Sequence, residues 1–129
     1  MHILNQAISI VREHVVKGLI TRSGEWPTVR KHFLATNPKC AACGGTSHLQ
    51  VHHKMPFHDD PSLELHPDNL ISLCMGDNEC HLKIGHGGSF KQYNPNVAVD
   101  AAEVLASPEH MEAVDKRAEE ARKPNQPGD

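Results

Sequence analysis

Four cysteines and four of the eleven histidines concentrate the chemistry of this 129-residue chain. Cys40-Ala41-Ala42-Cys43 leaves a two-residue gap, so both thiolates can reach one ion at about 2.3 Å. Gly44 and Gly45 relieve the tight turn that follows. Cys74 and Cys80 form a second pair, spaced C-x5-C, so residues 75–79 must bulge as a short loop. Two pairs about thirty residues apart favour structural zinc, with buried thiols or a disulfide as the alternatives. His52 and His53 lie between the pairs, His81 directly follows Cys80, and His86 comes five residues later. Imidazole has an unperturbed pKa of about 6.5, so near neutral pH it serves as a metal ligand or a general base. Taken singly, each of these histidines is more often a packed or exposed side chain, and Asn69, after Pro67-Asp68, is a turn residue.

The elements that must position these groups can be read from periodicity. Leu4, Ile8, Val11, Val15 and Leu19 at helical spacing predict an amphipathic helix over 3–19. Trp26-Pro27 opens a second helix, with Val29 and Phe33 on one face, and Asn37-Pro38 ends it. Leu49-Gln50-Val51-His52 alternates like a short strand, and Leu70-Ile71-Ser72-Leu73 forms another after a loop marked by Pro56, Pro61 and Pro67. Adjacent strand residues face opposite ways, so His52 and His53 are expected to do different work. Cys80 to Ile84 starts a short helix, stopped by Gly85, Gly87 and Gly88. Ser107-Pro108-Glu109 opens a C-terminal helix, and the tail 124–129 is expected to be disordered.

The set His52-His53, Asn69 and Cys80-His81, bracketed by Cys40, Cys43 and Cys74, resembles the zinc-containing branch of the HNH endonucleases over about residues 38–95. In that family a ββα-metal (His-Me finger) element is held between two cysteine pairs. One departure is the spacing from Asn69 to His81, twelve residues here, whose excess over the family pattern falls inside the C-x5-C loop. The resemblance implies that His52 binds a divalent metal (Mg²⁺, Mn²⁺, Ni²⁺ or Zn²⁺) and that His53 activates the attacking water. It further implies that Asn69 holds the His53 imidazole through a side-chain or main-chain hydrogen bond, and that His81 completes the ligands. His86 is an additional candidate ligand or phosphate contact. Asp59 and Asp60, with His58, read as a turn before Pro61 rather than a second acidic metal site.

The expected fold is α+β: a small zinc-stapled domain over 1–96 with N-terminal helices, and a peripheral C-terminal helical extension over 97–129. Net charge is −3, yet residues 1–60 balance to +3 and residues 61–129 to −6, which permits a polyanion on the first half. Arg22, Arg30, Lys31 and Lys54 are the candidate DNA phosphate contacts. No base-reading helix is visible, so sequence preference should be weak. Only five residues are aromatic: Trp26, Phe33, Phe57, Phe90 and Tyr93. Trp26 reads as core or as a base-stacking residue, and Lys91, Tyr93 and Asn94 as loop residues able to touch the backbone. No apolar run approaches the roughly 20 residues of a membrane span, and Met1-His2-Ile3-Leu4-Asn5 lacks signal-peptide order. A cytoplasmic setting, bacterial or phage-encoded, is expected. Monomer and homodimer stay open. The competing readings are a non-catalytic zinc-knuckle module that binds nucleic acid, and a zinc protein that binds another protein through its acidic C-terminal helix.

Overall fold

The computed structural model describes residues 21–124; the expected helix over 3–19 and residues 125–129 of the tail lie outside the described residues. Helix α1 is Trp26–Thr36. Ser23 Oγ accepts from the Glu25 amide, Pro27 sits in the first turn where no amide is needed, and Asn37 ends the helix by donating its N–H to Phe33 O. Strands β1 (Leu49–His53) and β2 (Leu70–Cys74) form an antiparallel two-stranded sheet, joined by a loop with short 3₁₀ turns at Pro61–Leu63 and Pro67–Asn69. Two further helices follow, α2 at Val97–Ala106 and α3 at His110–Arg122. The fold is therefore a small α+β arrangement, and none of its described helices is long and apolar enough to cross a membrane.

Register decides what each face of the sheet carries. Gln50 pairs with Leu73 and His52 with Ile71, so these four side chains share one face; Val51, Ser72, His53 and Leu70 share the other. All five residues of β2 are buried, as expected of a strand covered on both sides. On the first face lies a single π turn, His81–Gly85, where the sequence suggests a short α-helix. Gly85 packs so closely that an added Cβ would stand 3.1 Å from Leu73 Cδ1 and 3.2 Å from the His52 ring. On the second face lie α1 and the first cysteine pair, tied down by Ala41 N donating to Ser72 O and by Ser72 Oγ donating to Asn37 O.

The region after residue 97 is not peripheral. Val97, Ala101 and Val104 of α2 recur at helical spacing and enter the same core as Leu73, Ile84 and Val114. The separate helix α2, which the sequence reading does not foresee, is thus part of the body of the fold. Helix α3 closes over the π turn: Lys83 pairs with Asp115 at 2.8 Å. Gly88, at φ +103°, approaches so near that a Cβ there would lie 2.6 Å from Ala118 Cα.

Candidate metal centre

The four cysteines come together with all Sγ atoms within 4.8 Å of one another. Cys43 Sγ and Cys74 Sγ stand 3.7 Å apart and no disulfide joins any pair. A tetrahedral Zn–S₄ site with bonds of about 2.3 Å has sulfur–sulfur edges of roughly 3.8 Å. The geometry is thus compatible with a structural zinc site. Gly44 N donates to Cys40 O and Cys40 N to Gly45 O, closing the knuckle, while Gly44 takes φ +74°. Across from it, Glu79 at φ +48° turns the C-x5-C loop back so that Cys80 leads into the π turn. The thiols compete for protons. Hydrogen bonding from Cys80 lowers Cys40 to about 4, while burial raises Cys74 and the Cys40 partner raises Cys80. A divalent cation held by the four thiolates would remove that conflict.

Three imidazoles form a second cluster. The ring nitrogens of His52, His81 and His86 lie within 4.8 Å of one another, and the ring centroids are 4.8–5.0 Å apart. The π turn brings the last two together. Its wide hydrogen bond runs from His86 N to His81 O at 3.1 Å, stacking residues five apart. In an α-helix the same residues would diverge by about 140°. Two of the three imidazoles are oriented from behind: His81 Nδ1 donates to Gln50 Oε1 at 2.6 Å and His86 Nδ1 to Gln92 O at 2.7 Å. With Nδ1 donating, Nε2 of each carries the lone pair, the tautomer that outer hydrogen bonds impose on ligating histidines. His52, 3% exposed, has a buried Nε2 with no partner, an orphan that a cation in the cluster would satisfy. Burial, then the neighbouring imidazoles, lower His52 to about 3; burial and His86 lower His81 to about 4. Both are therefore neutral at pH 7, as ligands must be.

His53 takes the other face, as expected. Its Nε2 donates to Glu64 O at 3.0 Å, and the Trp26 ring lies 4.5 Å away, neither buried core nor open to solvent. Burial lowers its pKa, opposed by the bond to Glu64. Both His52 and His53 line one open cleft of about 710 Å³, which also includes His81, His86, Arg22 and Phe90.

Asn69 departs from its expected role. Its Oδ1 accepts from Met55 N, and its Nδ2 donates to Met55 O and Leu63 O. Its side chain fastens the loop that carries Glu64 and makes no hydrogen bond to His53, while its main-chain O accepts from Lys54 N beside His53. Arg22 is engaged within the chain, 3.3 Å from the Glu64 carboxylate and stacked 4.6 Å over Phe57, though it borders the cleft. Arg30 and Lys31 are exposed on α1 and Lys54 is half-buried beyond β1; none of these three lines the cleft. Asp60 accepts from Ser62 N, the turn role expected of it. Asn94 is structural, donating to Ile84 O and Asp100 Oδ2, while Lys91 and Tyr93 border the cleft. Sequence reasoning misses Gln50, Glu64 and Gln92. Of these, Gln50 carries a signal, because it lies two residues before His52 and so on the same strand face. Comparison with protein-family models, curated proteins and solved structures finds no match to this chain.

Proposed function

We propose that the chain is a divalent-metal-dependent endonuclease of the HNH type, hydrolysing DNA phosphodiester bonds from a zinc-stapled ββα-metal centre. The observation that carries this reading is the convergence of His52, His81 and His86 within 4.8 Å in a cleft that His53 also lines. His52, His81 and His86 would hold a divalent cation, which would supply Lewis-acid stabilisation to the phosphate. His53 acts as general base. Its Nε2–H is committed to Glu64 O, so Nδ1 carries the lone pair. Its lowered pKa keeps the ring neutral near pH 7, ready to take a proton from water as the water oxygen attacks phosphorus. The leaving sugar oxygen takes a proton from solvent. Lys91 borders the cleft, and Arg30, Lys31 and Lys54 outside it are further cations that would contact phosphate, with affinity that falls steeply with salt.

The test uses supercoiled plasmid and zinc-loaded protein freed of loosely held metal, with Mg²⁺, Mn²⁺, Ni²⁺ or Zn²⁺ added back separately, beside His53→Ala. Metal-dependent nicking or linearisation that disappears in a folded His53→Ala protein is expected. Absence of cleavage with every metal, despite intact zinc content and DNA binding, overturns the reading in favour of a non-catalytic zinc-knuckle module.

A further inference from the structure

The chain has five aromatic residues, and four of them (Trp26, Phe57, Phe90 and Tyr93) line the cleft that holds the imidazoles. Three of the four are committed or partly covered. Trp26 stacks against His53, Phe57 is buried beneath the Arg22 guanidinium, and Tyr93 is half-buried. Phe90 differs: the residue is 58% exposed, although burying a phenyl ring is normally strongly favourable. It stands at the metal cluster, its ring centroid 4.9 Å from His86 and 6.0 Å from His81. Next to it Lys91 is exposed and borders the same cleft. An uncovered flat apolar ring beside three imidazoles and a cation suits a ligand with a planar face joined to an anion. A nucleotide has both, with its phosphate within one residue's reach of its base.

Bases in a continuous duplex are stacked on their neighbours and offer no free face to such a ring. We propose that Phe90 is a stacking platform for one unpaired nucleobase, so that the preferred substrate is DNA that is single-stranded or locally unpaired beside the scissile phosphate. This proposal rests on the nuclease reading of the same cleft. Stacking on Phe90 draws the flanking phosphate toward His81 and His86. The preference is for an open base face rather than a particular base, because every base has one.

Fluorescence anisotropy with the zinc-loaded full chain, without added divalent metal, tests this directly. The probes are a short labelled deoxyoligonucleotide, the same strand carrying abasic sites, and the matching duplex. Wild type should bind the intact strand roughly 5- to 150-fold more tightly than the abasic strand, the range of a single base–aromatic stack. Phe90→Ala should lose that discrimination and Phe90→Trp should keep it, with nickel affinity of the imidazole cluster unchanged in both. Equal binding of intact and abasic strands by wild type, discrimination retained in Phe90→Ala, or duplex bound as tightly as the strand would overturn the proposal. Failure of the two readings is distinguishable: metal-dependent plasmid cleavage without base discrimination removes only the Phe90 assignment, whereas Phe90-dependent discrimination without cleavage removes only the nuclease.

Discussion

His53 donates its Nε2–H to the main-chain oxygen of Glu64 at 3.0 Å, while the Glu64 carboxylate, 4% exposed, accepts from the Ser23 amide at 2.9 Å and pairs with Arg22. Main chain and side chain of one residue thus bind the proposed base and the start of α1 together. Trp26, three residues after Ser23, closes the loop by stacking on the same imidazole.

Glu64→Ala keeps the main-chain acceptor but strands the Ser23 amide and releases Arg22. The expected cost is about 1–3 kcal/mol in a urea titration. Trp26 is the sole tryptophan, so its emission reports the His53 neighbourhood without ambiguity. Its spectrum should shift and plasmid cleavage should fall. An unaltered emission maximum would mean that the carboxylate does not set the Trp26–His53 contact.

Gln50 is exposed, and its side-chain oxygen bonds His81 Nδ1. Replacing it with alanine should leave stability within about 0.5 kcal/mol. Affinity of the imidazole cluster for Ni²⁺, measured by calorimetry on zinc-loaded protein, should drop roughly 10- to 100-fold. Equal affinity in wild type and Gln50→Ala would show that the amide does not orient His81.

Folded His52 and His81 hold protons only below about 3 and about 4. In the unfolded chain they protonate near 6.5. Between those values the unfolded state binds more protons, so stability rises with pH there. The contribution of these two residues is complete above about pH 6.5 and is lost as pH falls toward 3–4. With the knuckle zinc verified at each pH and no metal added to the imidazoles, the urea midpoint should decline from pH 7 to pH 5. In His52→Phe it should decline less. A flat midpoint in wild type would contradict the buried, neutral state of His52.

Gly88→Ala places a methyl 2.6 Å from Ala118 Cα on a residue at φ +103°. Backbone lies on both sides of that contact, so no flexible side chain can yield. The expected loss is roughly 2–4 kcal/mol, read as a lower thermal midpoint. Gly24→Ala is the control, because nothing lies within 4 Å of its added Cβ.

Much of the candidate site is legible because its residues sit on simple periods. Alternation places Leu49 to His53 on a strand and separates His52 from His53, and the helix signals around Trp26-Pro27 and Asn37-Pro38 bound α1 correctly. What stays hidden depends on main-chain geometry or on partners distant in sequence. The Glu64 contact to His53 uses a carbonyl, which every residue has, so its side chain gives no sign of it. The family pattern assigns Asn69 to the imidazole, whereas its amide is spent on Met55 and Leu63. Helix α2 has only small apolar residues, Val97, Ala101 and Val104, at its buried positions, a faint stripe beside stronger signals at Ser107-Pro108. A spacing of five suits no regular helix, so nothing in the periodicity brings His81 and His86 onto one face.

The π turn under that pair has a consequence for how this chain can change in length. A π turn amounts to an α-helical turn carrying one surplus residue. Residues four apart in the shorter turn share a face just as residues five apart do here. In an α-helical turn the same pairing would need a spacing of four, so the spacing of five between His81 and His86 is matched to the π geometry. A one-residue change of length here must therefore be matched by a change between π and α geometry, and it would also shift Gly85, which packs against Leu73 and the His52 ring.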